Sequence, residues 1–154
     1  MKKKCVGLLL VAGILLTACG NSEGEAKKTV DTQALAQSLV NELSYDGTLS
    51  ELEQDQIANY IDLVEGTTGI MYMSDGETSE EVAVFTTKDA ASAEQMKENV
   101  ELFLEDQKSS FEDYLPEESK RIEDAVLVVN DKYVVLSVSE DASAAKKIIE
   151  EALQ

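Results

Sequence analysis

Two kinds of residue in this sequence could carry chemistry: a cysteine set behind a basic, apolar N-terminus, and a large excess of carboxylates. Leu16-Thr17-Ala18-Cys19 puts small residues directly before a thiol. This has the form of a bacterial lipobox, in which a peptidase cuts between Ala18 and Cys19. The freed Cys19 is alkylated with diacylglycerol, and only a thiol can form that thioether. Upstream stand Lys2, Lys3 and Lys4, then an apolar run from Cys5 to Leu16. A basic start and an apolar stretch of about 7–15 residues make a secretory signal peptide. A membrane-spanning helix needs about 20 apolar residues, so this run is too short. The expectation is a signal peptide over residues 1–18 and a lipid anchor at Cys19, holding the mature chain on the extracytoplasmic face of the cell membrane.

Cys5 would leave with the signal peptide, and Cys19 would be consumed by lipidation. No disulfide, thiolate nucleophile or cysteine metal ligand then remains. Histidine is absent altogether, which removes the commonest general base and transition-metal ligand. Ser-His-Asp, Cys-His and zinc arrangements cannot be built. Loss of Lys2–Lys4 lowers the basic residues from 13 to 10 against 31 acidic ones, taking the net charge from −18 to −21. Such a surface repels nucleic acid and anionic lipid headgroups and attracts cations and basic partners.

Four carboxylate arrangements merit weighing. Glu94, Glu98, Glu101 and Glu105 share one helix face, which could hold a cation or dock a basic partner, or be a solvated face paired with Lys97 and Lys108. Asp89 and Asp141 could form an acid–base pair, but each stands where a helix begins, and N-capping explains that placement. Asp75-Gly76-Glu77 and Asp46-Gly47 lack the spacing of a calcium loop and read as turns. No metal or cofactor is expected. The strongest non-lipid candidate is apolar: Phe111, Tyr114, Leu115 and Pro116 cluster amid acidic residues. The cluster is either an interaction patch or a plug that folds back into the core.

The elements that must position these residues follow from periodicity. Residues 19–30 are polar and aperiodic, a tether; 31–154 form a single domain. Leu35, Leu39 and Leu43 with Ala36 and Val40 predict a helix over Asp31–Leu43. A weaker helix is expected over Glu53–Leu63, using Ile57, Tyr60 and Ile61. Thr68–Met73 and Glu81–Thr86 read as a hairpin. A long helix runs from Asp89 to Tyr114, with Ala93, Met96, Val100, Phe103, Leu104, Gln107 and Phe111 inward, ended by Pro116. Ala125–Val129 and Tyr133–Val138 form a second hairpin, apolar on both faces and therefore central. A last helix spans Asp141–Leu153, with Ala145, Ile148, Ile149 and Ala152 inward. Val82–Ala90 and Val134–Ala142 resemble each other, each a strand followed by Asp-Ala. The expected fold is α+β: a four-stranded antiparallel sheet from two ββα units, packed by the long helix and the N- and C-terminal helices.

Glu80–Phe85, Asp106–Glu118 and Asp131–Leu136 together resemble a family of small lipoproteins of clostridia-type Gram-positive bacteria, described as domain of unknown function 4358. The likeness runs from about residue 31 to the end, with Gln107–Glu118 its most distinctive piece. It implies an extracytoplasmic location and brings no catalytic residues. It also implies a partner class, the membrane O-acyltransferases near which such proteins are often encoded. The resulting expectation is a non-enzymatic interaction module binding an envelope or membrane protein. The alternatives are a binder of a small cationic ligand, or an accessory subunit of a system that O-acylates cell-surface polymers.

Overall fold

The computed structural model describes residues 29–154. The expected signal peptide over 1–18, the expected cleavage pair Ala18 and Cys19, and the expected tether as far as residue 28 lie outside the described residues. In chain order the elements are α1 (Thr32–Glu42), β1 (Ser50–Leu52), α2 (Gln54–Ile57), β2 (Thr68–Met73), β3 (Glu81–Thr86), α3 (Ala90–Phe111), α4 (Pro116–Glu123), β4 (Val126–Asn130), β5 (Tyr133–Val138) and α5 (Ala142–Leu153).

The strands form one antiparallel sheet in the order β1-β2-β3-β5-β4. Side chains alternate across a strand, and the two faces bury different helices. Met71, Ala83, Phe85, Val134, Leu136 and Val138 meet Ala93, Met96, Val100 and Phe103 of α3. On the other face Val82, Val84 and Val135 meet Leu35 and Leu39 of α1 and Ala145 and Ile149 of α5. The sheet is thus the middle of three layers.

Three helices begin on an aspartate that satisfies an otherwise orphaned N–H. Asp31, Asp89 and Asp141 accept from the backbone N–H of Ala34, Ser92 and Ala144 at 3.0, 2.8 and 2.8 Å. The backbone bond from Ser92 also holds the Asp89 carboxyl below the ordinary carboxylate range.

The α+β class and the antiparallel sheet agree with the sequence reading, and four differences have physical reasons. The sheet has five strands rather than four, because Ser50-Glu51-Leu52 pairs with Met71–Met73 at the edge. Three residues are too few to show a period. The helix expected over Glu53–Leu63 shrinks to one turn, Gln54–Ile57, after which Ile61 is buried and Tyr60 turns outward. The long helix ends at Phe111, and Pro116 opens α4 instead of only stopping α3. Of the two strands read as central, only β5 is buried throughout; β4 is an edge strand.

The likeness between Val82–Ala90 and Val134–Ala142 does not extend to symmetry. A shift of 52 residues pairs Val82 with Val134 and Val84 with Leu136, residues on opposite faces of the sheet. The helices that follow, α3 and α5, likewise lie on opposite faces. A two-fold axis normal to the sheet would have put both on one face. What the segments share is local: an apolar strand, a polar step and an aspartate cap.

Candidate functional site

Glu81 begins β3, the middle strand, flanked by Met73 of β2 and Val138 of β5. Its parity with Ala83 and Phe85 turns it under α3. There Phe103, Gln107 and Phe111 follow one another at intervals of four, one stripe of the helix. Gln107 Nε2 donates to Glu81 Oε2 at 3.0 Å, whereas Glu81 Oε1 meets no donor. It is the one buried carboxylate oxygen among the described residues left so. Burial pushes the Glu81 carboxyl up to about 8, against the opposing effect of the Gln107 hydrogen bond. Beside it lies a cavity of about 210 Å³, walled by Tyr60, Met73, Phe103, Phe111 and the loop 74–80.

A buried carboxyl with one oxygen unsatisfied is unfavourable for folding, so its presence over an apolar cavity points to binding. Glu80 also lines the cavity, but its carboxylate is taken up by other partners. Glu80 accepts from the backbone N–H groups of Asp46 and Gly47, both at 2.8 Å, and from Thr78 Oγ1 at 3.0 Å. A general acid–base pair is therefore not formed here. Among the described residues, no three carboxylates or cysteines cluster as a metal site would require.

Behind Glu80 stands an ionic knot centred on Arg121. Its guanidinium donates to both oxygens of Glu118, at 2.7 and 2.6 Å, and to Asp46 at 2.7 Å. Glu118 also receives the backbone N–H and the hydroxyl of Ser79, at 2.7 and 2.8 Å. These bonds tie α4 to the loop after α1 and to the segment leading into β3. The site floor is held by them from behind.

The residues singled out from sequence are dispersed. Phe111 is buried and Leu115 half-buried against the core, while Pro116 opens α4. Tyr114 and Pro116 stay exposed, the Tyr114 ring tilted against Phe111 with centroids 5.7 Å apart. The cluster is plug and surface at once. On the acidic helix face Lys97 pairs with Glu101 at 3.0 Å, while Lys108 reaches across to Glu123 of α4. Glu81 was missed although a charge at the head of an alternating apolar strand is a signal. So was Gln107, a polar residue on a face otherwise read as core.

The family model described as domain of unknown function (DUF4358) matches residues 44–139, well over half of the chain. The chain belongs to the DUF4358 family. The DUF4358 match takes in all five strands, α3 and α4, and with them Glu80, Glu81, Gln107, Phe111, Glu118 and Arg121. It is narrower than the resemblance read from residue 31 onward, leaving α1 and α5 outside. No curated protein and no solved structure matches this DUF4358 chain significantly.

Proposed function

We propose that the protein is a lipid-anchored, non-enzymatic interaction module on the extracytoplasmic face of the cell membrane. Its docking face would run along the outer margin of α3. The observation that carries this reading is where the exposed apolar side chains lie. Tyr60, Leu102 and Tyr114, exposed by 51, 61 and 62%, are the large hydrophobic residues at the surface among those described. Tyr60 and Leu102 line one hollow with Phe103. Tyr60 and Phe103 continue into the Glu81 cavity with Phe111, against which the Tyr114 ring lies tilted. Apolar groups gathered on one face and rimmed by charge mark interfaces. Asp62 and Asp106 border the hollow, so the partner is an envelope or membrane protein presenting an apolar segment with basic residues.

The lipobox at Cys19 supports the location. No helix among the described residues is long and apolar enough to cross a membrane. The test is site-specific photocrosslinking in cells from positions 102, 114 and 146, the last on α5 across the sheet. One partner recurring from 102 and 114 but not from 146 supports the docking face. Equal capture from all three, or none, overturns it. A Cys19→Ala strain should release the protein from the membrane fraction; retention there would overturn the anchor.

A further inference from the structure

The cavity over Glu81 suits a narrow class of ligand. At about 210 Å³ it has the volume of roughly seven waters at about 30 Å³ each. Its large walls are Tyr60, Met73, Phe103 and Phe111, and a buried water needs two to four polar partners. An aliphatic stem with one donor head fills such a space better than water does. Glu81 is among the residues lining the cavity; its Oε1 is a buried acceptor without a donor, while Oε2 is held by Gln107.

We propose that this pocket takes an alkylammonium group, its stem between Met73, Phe103 and Phe111 and its nitrogen on Glu81 Oε1. The chemistry is that of a lysine side chain or a free aliphatic amine. It rests on the docking-face reading, since the pocket lies within that face, and it names the group the face would hold.

Among the described residues no cation is paired with Glu81. Around Glu81, β2 contributes Met73, β5 contributes Val138, and α3 contributes Phe103, Gln107 and Phe111. The adjacent charged residue is Glu80, from the segment before β3, beyond which Arg121 of α4 stands 3.9 Å from the Glu80 carboxylate. Arg121 is bonded to Glu118 and Asp46, and Glu80 to the 46–47 backbone. Tyr60 on the rim is the remaining titratable group. The net charge of −18 over the whole chain draws cations and disfavours anions.

The carboxyl titrates near 8, so an ammonium ion must displace its proton at lower pH. Affinity for a permanent cation therefore falls as pH falls, while that for a neutral alcohol does not.

The experiment is calorimetric titration of the full chain, in a nonionic detergent, with n-pentylammonium chloride. The second probe is N-acetyl-lysine methylamide, and 1-hexanol is the neutral comparison. Pentylammonium should bind at least about tenfold more tightly at about pH 8.5 than at about pH 6. Glu81→Gln should weaken it by about tenfold or more and abolish the pH dependence. Met73→Phe, which narrows the pocket and leaves Glu81 in place, should block binding even if Glu81→Gln fails to fold. Tighter binding of the lysine amide assigns the group to a protein partner, and tighter pentylammonium assigns it to a free amine. Equal binding of hexanol, unchanged binding by both variants, or no binding at millimolar amine overturns the proposal. Amine binding without crosslinking from 102 and 114 would sink the docking face alone; the reverse would sink this inference alone.

Discussion

Glu80 and Glu81 are adjacent in the chain, both fully buried, and their carboxylates turn toward opposite sides of the sheet to opposite fates. Glu80 reaches the loop after α1 and is saturated by two backbone N–H groups and a threonine hydroxyl. Glu81 reaches under α3 and holds a single donor, Gln107. The period of two along an extended chain separates them. One carboxylate is built into the fold, and its neighbour is left with an oxygen to spare.

Glu81 should make stability fall as pH rises. Its folded value of about 8 lies above the ordinary 4.5, so the folded state holds the proton more tightly. That contribution is complete below about pH 4.5 and lost as pH climbs through 8. Urea unfolding at several pH values should show Glu81→Gln gaining on the wild type by a few kcal/mol between about pH 5 and 8. Parallel curves for the two proteins would contradict this.

Glu80→Ala should destabilise by about 3 kcal/mol or more, because it strands the donors at Asp46, Gly47 and Thr78. Arg121→Met should do comparable damage by leaving Glu118 buried with only the Ser79 donors. Equilibrium denaturation reads both, and a loss under about 1 kcal/mol would mean that the knot behaves as a surface ion pair.

Gly69 lies directly across from Phe85 in the sheet, and a Cβ there would come within 2.4 Å of the Phe85 ring. The glycine is required by this close approach of the aromatic side chain, which fills the space a side chain at 69 would need. Gly69→Ala should cost about 1–3 kcal/mol in thermal or urea unfolding. Gly69→Ala combined with Phe85→Leu should recover part of that loss.

Tyr114→Ala and Leu102→Ala should leave stability within about 0.5 kcal/mol of the wild type, since both side chains are mainly in solvent. Partner capture from cells should nonetheless drop severalfold with the pair. A large fall in melting temperature instead would make these residues structural.

Local signals were legible wherever the physics is local. The caps Asp31, Asp89 and Asp141 follow from a short acceptor before an apolar period. β2, β3 and β5 follow from β-branched runs between turn residues. The α4 signal was present too: Pro116 at the first helical position, Glu117 and Glu118 in the first turn, Lys120 and Arg121 in the last. Reading Pro116 only as a stop concealed it. β1 gave no signal, since Ser50-Glu51-Leu52 becomes a strand only because β2 offers an unpaired edge.

The sequence by itself determined the acidity, the lack of histidine and the α+β class, because each depends on composition or on neighbours along the chain. Only the tertiary structure decided which face each helix covers, and that α3 and α5 part to opposite sides despite like starts. It alone decided that Glu81 has one hydrogen-bond donor where Glu80 has three, and that Tyr60 and Leu102 line one hollow. Those outcomes depend on groups from distant parts of the chain meeting or failing to meet. No spacing along the sequence encodes an acceptor that lacks its donor.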